Sequence, residues 1–249
     1  MNIRRSANPV LTKNVFSSAR EKTYTETMTI RGTVNKIFLM LLLVVLGAGY
    51  TWNFMGEGNI SAMQTYMLIG GIGGFITALI TVFKMTWSPI TAPIYSVLQG
   101  LFLGGISAYF NAQYPGIVVN AVALTFGTLF ALLAVYRSGI IKVTDNFRLG
   151  VVAATGGIAI AYFLSFILGF FGVNIGFIHS NGTMGIIFSL VVVVVAAMNL
   201  VLDFDFIENG AEAGAPKFME WYGAFGLMVT LIWLYIEFLR LLAKLSSRE

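Results

Sequence analysis

Long apolar stretches separated by short polar connections run along nearly the whole chain. Seven of them occur, at roughly 36–55, 65–83, 91–110, 116–136, 149–172, 183–209 and 221–243. A membrane-crossing helix needs about 20 predominantly apolar residues, so each stretch predicts one transmembrane helix. The valine run Val191–Val195 and the Gly156-Gly157 pair would suit strands in water. Lipid leaves an open sheet edge unpaired, however, and the alternation of a closed barrel is absent. The connections are short enough to make consecutive helices antiparallel neighbours. The expected fold is an all-α integral membrane protein, a seven-transmembrane-helix bundle. Residues 1–35 form a basic N-terminal tail and residues 36–249 a single transmembrane domain.

Composition agrees. Hydrophobic residues make up 57% of the 249 positions and charged residues 10%, against about 25% charged in an average soluble domain. The chain has no cysteine and one histidine, His179, which excludes thiolate and multi-histidine metal centres. Seven of the 15 Lys and Arg precede residue 37: Arg4, Arg5, Lys13, Arg20, Lys22, Arg31 and Lys36. They lack the interleaved aromatics of a nucleic-acid surface and adjoin a span, so anionic lipid is the expected counter-charge and no nucleic-acid partner is expected.

Orientation follows from where the remaining basic residues fall. Lys84, Arg137, Lys142, Arg148 and Lys217 lie in alternate connections, and the intervening ones, near 56–64, 111–115 and 173–182, have none. Positive charge stays inside, so the tail and these loops are expected in the cytoplasm. Arg240, Lys244 and Arg248 defy the pattern if the seventh stretch spans fully, and a re-entrant seventh segment is the alternative.

Small residues mark helix contacts. Gly70 with Gly74, and Gly100 with Gly104, each place two glycines on one helix face, where backbones approach closely. The string Gly70-Gly71-Ile72-Gly73-Gly74 lies inside a span with no strand before it, so packing is expected rather than phosphate binding.

Acidic residues inside a membrane are costly and mark candidate function. Asp203, Asp205 and Glu237 fall within or at the edge of predicted spans. Asn209-Gly210 reads as the end of the sixth helix, with Asp203 about 9 Å inside it at 1.5 Å per residue. Asp205, Glu208, Asn209 and Glu212 share a helical face expected to meet water. Asp203 lies about 200° away at 100° per residue, on a stripe with Asn199 and Ile207, and is the candidate buried carboxylate. Glu237 has two readings: an ion pair with Arg240 three residues on, or a contact with Asp203 between the last two helices. In the second, the two carboxylates titrate as a coupled pair and form a proton-sensing latch. Their oxygens would also suit Ca²⁺.

These strings resemble the Bax inhibitor-1 family, also called the transmembrane Bax inhibitor motif family, and within it the bacterial YccA-like branch. The resemblance rests on Arg5-Ser-Ala-Asn8-Pro9-Val-Leu, Ser88-Pro89 followed by Gln99-Gly100-Leu101-Phe-Leu-Gly104, Leu202-Asp203-Phe204-Asp205-Phe206-Ile207, and Leu234-Tyr235-Ile236-Glu237-Phe238. It implies a bacterial inner-membrane location, a central last helix surrounded by the other six, and a pH-sensitive Ca²⁺ leak governed by two acids that match Asp203 and Glu237. No arginine lies in the second span, where the family has a basic latch partner.

The expected function is a pH-sensitive calcium (cation) leak channel gated by Asp203 and Glu237. Asp205, Asn199 and Arg240 are the supporting residues, and Asp203 and Glu237 the candidate Ca²⁺ ligands. The alternative is a non-transporting regulator that binds a membrane quality-control protease or other membrane proteins. An acid protease is disfavoured because no Gly-x-Gly-Asp string is present, so the chain is expected not to be an enzyme and to need no cofactor beyond Ca²⁺.

Overall fold

The computed structural model describes residues 26–172 and 180–247. Most of the basic tail, the Arg5–Leu11 string, His179 and Arg248 lie outside them. The described residues form seven α-helices: α1 Ile30–Gly56, α2 Ile60–Phe83, α3 Ser88–Gln113, α4 Ile117–Arg137, α5 Asp145–Phe170, α6 Thr183–Glu212 and α7 Met219–Ser246. All seven are long and apolar enough to cross a membrane, and the chain is an integral membrane protein.

Two boundaries move from their expected places for local reasons. Helix α1 starts at Ile30 rather than near 36, because the Thr29 side chain caps it by accepting the Gly32 N–H. Helix α6 runs past Asn209-Gly210 to Glu212. It ends where Gly214 takes the left-handed conformation, at φ 65°, and the Ala215 N–H bonds the Gly210 carbonyl. Asp203 is therefore about 14 Å from the helix end, at 1.5 Å per residue.

Helix α7 is one uninterrupted helix of 28 residues, about 42 Å long. Its first turn lies beside the start of α1, where the Thr29 N–H donates to Glu220 Oε1 at 3.0 Å. Its last turn reaches the start of α6, where Lys244 Nζ donates to the Gly185 carbonyl and Ser189 Oγ at 3.0 and 2.9 Å. It crosses the whole bundle, so the re-entrant alternative is excluded. The excess basic charge at that end has a structural cause, since Arg240 and Lys244 fold back onto Glu237 and α6.

Helix α7 is also the centre of the fold. In its most apolar window 72% of residues are buried, against 17–56% in the other six helices. It packs directly on α1, α3, α4 and α6, and α5 reaches it through Tyr162. Helix α2 packs chiefly on α3, so the last helix is not ringed by all six others.

The glycine pairs set the closest approaches. A Cβ on Gly100 or Gly104 would meet the backbone of α1 at Val44 or Ala48, and one on Gly70 or Gly74 would meet α3. Gly100→Leu is thus expected to lower the thermal midpoint of the detergent-solubilised protein, as overpacking costs about 1–3 kcal/mol. Gly156→Ala, where a Cβ meets nothing within 4 Å, should hold or raise it, because helix-interior glycine costs roughly 0.5–1 kcal/mol relative to alanine. Light-scattering melts of the two variants decide the point.

Candidate functional site

Helix α5 carries Arg148, Thr155 and Tyr162 at seven-residue intervals. Seven residues bring an α-helix back to nearly the same face, so the three make one polar stripe in a helix with few other polar groups. Each finds a polar partner on α6 or α7. Arg148 Nη2 pairs with Asp205 Oδ2 at 2.6 Å. Asn199 Nδ2 donates to Thr155 Oγ1 at 2.8 Å. The Tyr162 hydroxyl donates to Glu237, 3.1 Å from each carboxylate oxygen. Successive stations are about 10 Å apart, and the three span about 21 Å of a hydrocarbon core about 30 Å thick.

Glu237 occupies the station nearest the α7 C-terminus and is 1% exposed. Besides Tyr162, its Oε1 accepts from Trp233 Nε1 at 3.3 Å and from Arg240 Nη1 at 3.1 Å. Arg240 also lies over the Tyr162 ring, 5.2 Å from its centre. A carboxylate held this way gains an opposite charge and several donors in place of water. The ion-pair reading of Glu237 therefore describes what it touches.

Asp203 is fully buried. One turn along α6 on one side is Asn199, bonded to α5. One turn on the other is Ile207, whose side chain lies against Gly223 of α7. Asp203 thus lies on the α6 stripe between a residue bonded to α5 and one packed on α7. It does not meet Glu237. Ile207 opposite Gly223, and Gly185 and Ser189 opposite Lys244, fix the α6–α7 register at both ends. In that register Asp203 is level with Leu227 and Glu237 with Val193, an axial separation of ten residues, or about 15 Å. The two acids are separate stations and cannot share one Ca²⁺, which takes 6–8 oxygen ligands at 2.3–2.6 Å. Among the described residues no group of three or more His, Cys, Asp or Glu is placed to hold a metal.

Asp205 also differs from expectation. Its side chain is 16% exposed and paired with Arg148, whose side chain is 4% exposed, so it does not face bulk water. Glu208 accepts the Tyr136 hydroxyl, and only Glu212 of that face is exposed. The long Arg148 side chain folds inward from the first turns of α5, where Asp145 joins it at 3.5 Å. Arg148 on the fifth helix is a buried arginine, and the second span holds none.

A further acid was not singled out by the sequence. Glu220, in the first turn of α7, is fully buried. Its Oε1 accepts from Thr29 N and Thr29 Oγ1 and lies 3.0 Å from Lys217 Nζ, and its Oε2 lies 3.2 Å from Lys36 Nζ. It locks the start of α7 to the start of α1, where a negative charge is favoured. Gly32 leaves the space it needs, since a Cβ there would strike the Glu220 carboxylate. The sequence signals were the Lys217–Glu220 spacing and the Thr29-x-x-Gly32 cap.

A central last helix and buried acids on the last two helices are now joined by a match along the chain. A family profile described as Bax inhibitor 1 like covers residues 8–247. The chain belongs to that family. The match takes in all seven helices of this Bax inhibitor 1 like protein, and both Asp203 and Glu237. Comparison with curated proteins and with solved structures gives no match.

Proposed function

We propose that this Bax inhibitor 1 like protein is a pH-sensitive cation leak, with Ca²⁺ as the expected ion, and that the ion passes along the α5–α6–α7 seam. The observation that carries the reading is the register of the Arg148–Thr155–Tyr162 stripe against Asp205, Asn199 and Glu237. It supplies polar groups at successive depths where hydrocarbon supplies none, and intramembrane ionisable groups mark ion and proton pathways. Asp203 and Glu237 act as two titrating stations rather than one latch. A single carboxylate with few companions binds Ca²⁺ weakly, as passage requires and storage does not. Arg148–Asp205 closes one end of the file and Arg240–Glu237 the other. On this reading the basic loops face the cytoplasm of a bacterial inner membrane, and no catalytic role is assigned.

Ca²⁺ influx into proteoliposomes, from about pH 6 to about pH 8, where buried carboxylates can titrate, tests this. Wild type is expected to exceed empty vesicles in a pH-dependent way, with the dependence flattened in Asp203→Asn and in Glu237→Gln. Wild type passing no more Ca²⁺ than empty vesicles at any pH would sink the leak. Unchanged pH dependence in both variants would remove the two acids as sensors.

A second reading draws on the junction of the tail. Residues 26–28 are bonded to the α6–α7 connection at Ala215 and Lys217, so a partner gripping the preceding basic residues would pull on the start of α7. Such a partner would be a membrane quality-control protease or another membrane protein, and no ion would move. Loss of co-purifying membrane proteins on deleting residues 1–25 would favour it, and unchanged co-purification would count against it.

A further inference from the structure

Helices α1 and α4 both pack on α7, and residues of all three line a lateral cleft. It holds two cavities, of about 320 and 330 Å³, which meet at Leu41 and Phe126. The first is walled by apolar side chains, among them Val34, Ile37, Leu129 and Leu133, and its floor reaches Leu227 of the central helix. Among the described residues, its only charged lining side chains are Arg137 and Glu208, at the end where α4 stops. Glu208 is engaged by the Tyr136 hydroxyl. Arg137 is exposed and has no ion pair among the described residues.

From Arg137 to the Leu41–Phe126 waist is 11 residues of α4, about 16 Å. That is close to the depth of one leaflet, half of a hydrocarbon core about 30 Å thick. An apolar slot one leaflet deep, with an exposed guanidinium at its mouth that no described acid pairs, matches an anionic lipid in form and charge. We propose that this cavity binds the acyl chain of an anionic glycerophospholipid from the leaflet at the Arg137 end, with its phosphate on Arg137. Guanidinium suits phosphate because its fixed fork of N–H donors can bond two oxygens at once. The bound chain touches Leu227, level with Asp203, so lipid occupancy bears on the helix that carries the seam. The site depends on the membrane setting alone and stands whether or not the seam conducts.

Native mass spectrometry of the full chain, after exchange from phosphatidylglycerol or phosphatidylcholine vesicles into detergent, tests the site. Wild type is expected to keep one phospholipid per chain and to prefer phosphatidylglycerol about fivefold, since one basic side chain at a membrane surface contributes about 1 kcal/mol towards anionic lipid. Val34→Trp, at a position 53% exposed with room for the larger ring, should lose the retained lipid. Leu133→Trp blocks the same slot from the α4 wall, should Val34→Trp not purify as a folded monodisperse species. Arg137→Gln should keep the lipid and lose the preference. A wild type that retains no phospholipid, or only free fatty acid, would overturn the proposal. So would a folded tryptophan variant that retains as much as wild type, or a preference that survives Arg137→Gln.

Discussion

Arg148→Leu is expected to destabilise the protein by about 3–5 kcal/mol, the usual cost of breaking a buried ion pair from one side. The loss comes from what is left behind. Asp205 would keep a charge in a site where its side chain is 16% exposed, with its nearest cation gone. The double variant Arg148→Leu/Asp205→Leu should recover most of that loss, because replacing both partners with apolar groups is often neutral or stabilising. Thermal midpoints of the single and double variants in one detergent give the comparison. If the double variant melts as low as Arg148→Leu alone, the damage comes from packing and the pair has been misjudged.

Glu220→Leu comes second, at about 2–4 kcal/mol. It leaves the Thr29 N–H without its acceptor, and a buried unsatisfied donor costs about 1–3 kcal/mol. It also removes a negative charge from the start of α1, worth up to ∼2 kcal/mol in a partly buried setting. Lys36 and Lys217, with side chains 26% and 44% exposed, can turn to water and limit the damage. Glu220→Gln keeps an acceptor for Thr29 and should cost less. Limited proteolysis near residue 28 gives a local readout: cleavage should accelerate in Glu220→Leu as the start of α1 loosens, and equal rates in wild type and variant would count against the lock.

The sequence made the spans legible because lipid imposes a single rule, about 20 apolar residues per crossing, and the chain obeys it seven times. Burial of Asp203 was legible from helical periodicity, since its stripe also holds Asn199 and Ile207. The distance between Asp203 and Glu237 was not. It depends on the register of two helices, which Gly223 against Ile207 and Lys244 against Gly185 reveal only once the chain is folded. Arg148 was hidden for another reason. It precedes the fifth apolar stretch, where basic residues count as loop charge, and only its long side chain brings the guanidinium inside. Its stripe was nonetheless readable, because Arg148, Thr155 and Tyr162 recur every seven residues in a helix with few other polar groups. Glu220 was obscured by its place at a predicted helix start, where an acid is ordinarily solvated and favourable to the dipole.

The seam itself is open to direct test, because the wild-type chain has no cysteine and a single introduced thiol is unambiguous. Thr155 lies at the middle station, half-buried and bonded to Asn199, while Ile160 of the same helix is 62% exposed and turned to lipid. Ca²⁺ flux should be followed in proteoliposomes carrying Thr155→Cys or Ile160→Cys, before and after a membrane-impermeant cationic methanethiosulfonate. If the ion passes along α5, α6 and α7, the reagent will block flux through Thr155→Cys and spare Ile160→Cys. A Thr155→Cys protein that conducts like wild type and is untouched by the reagent would contradict the seam as the path.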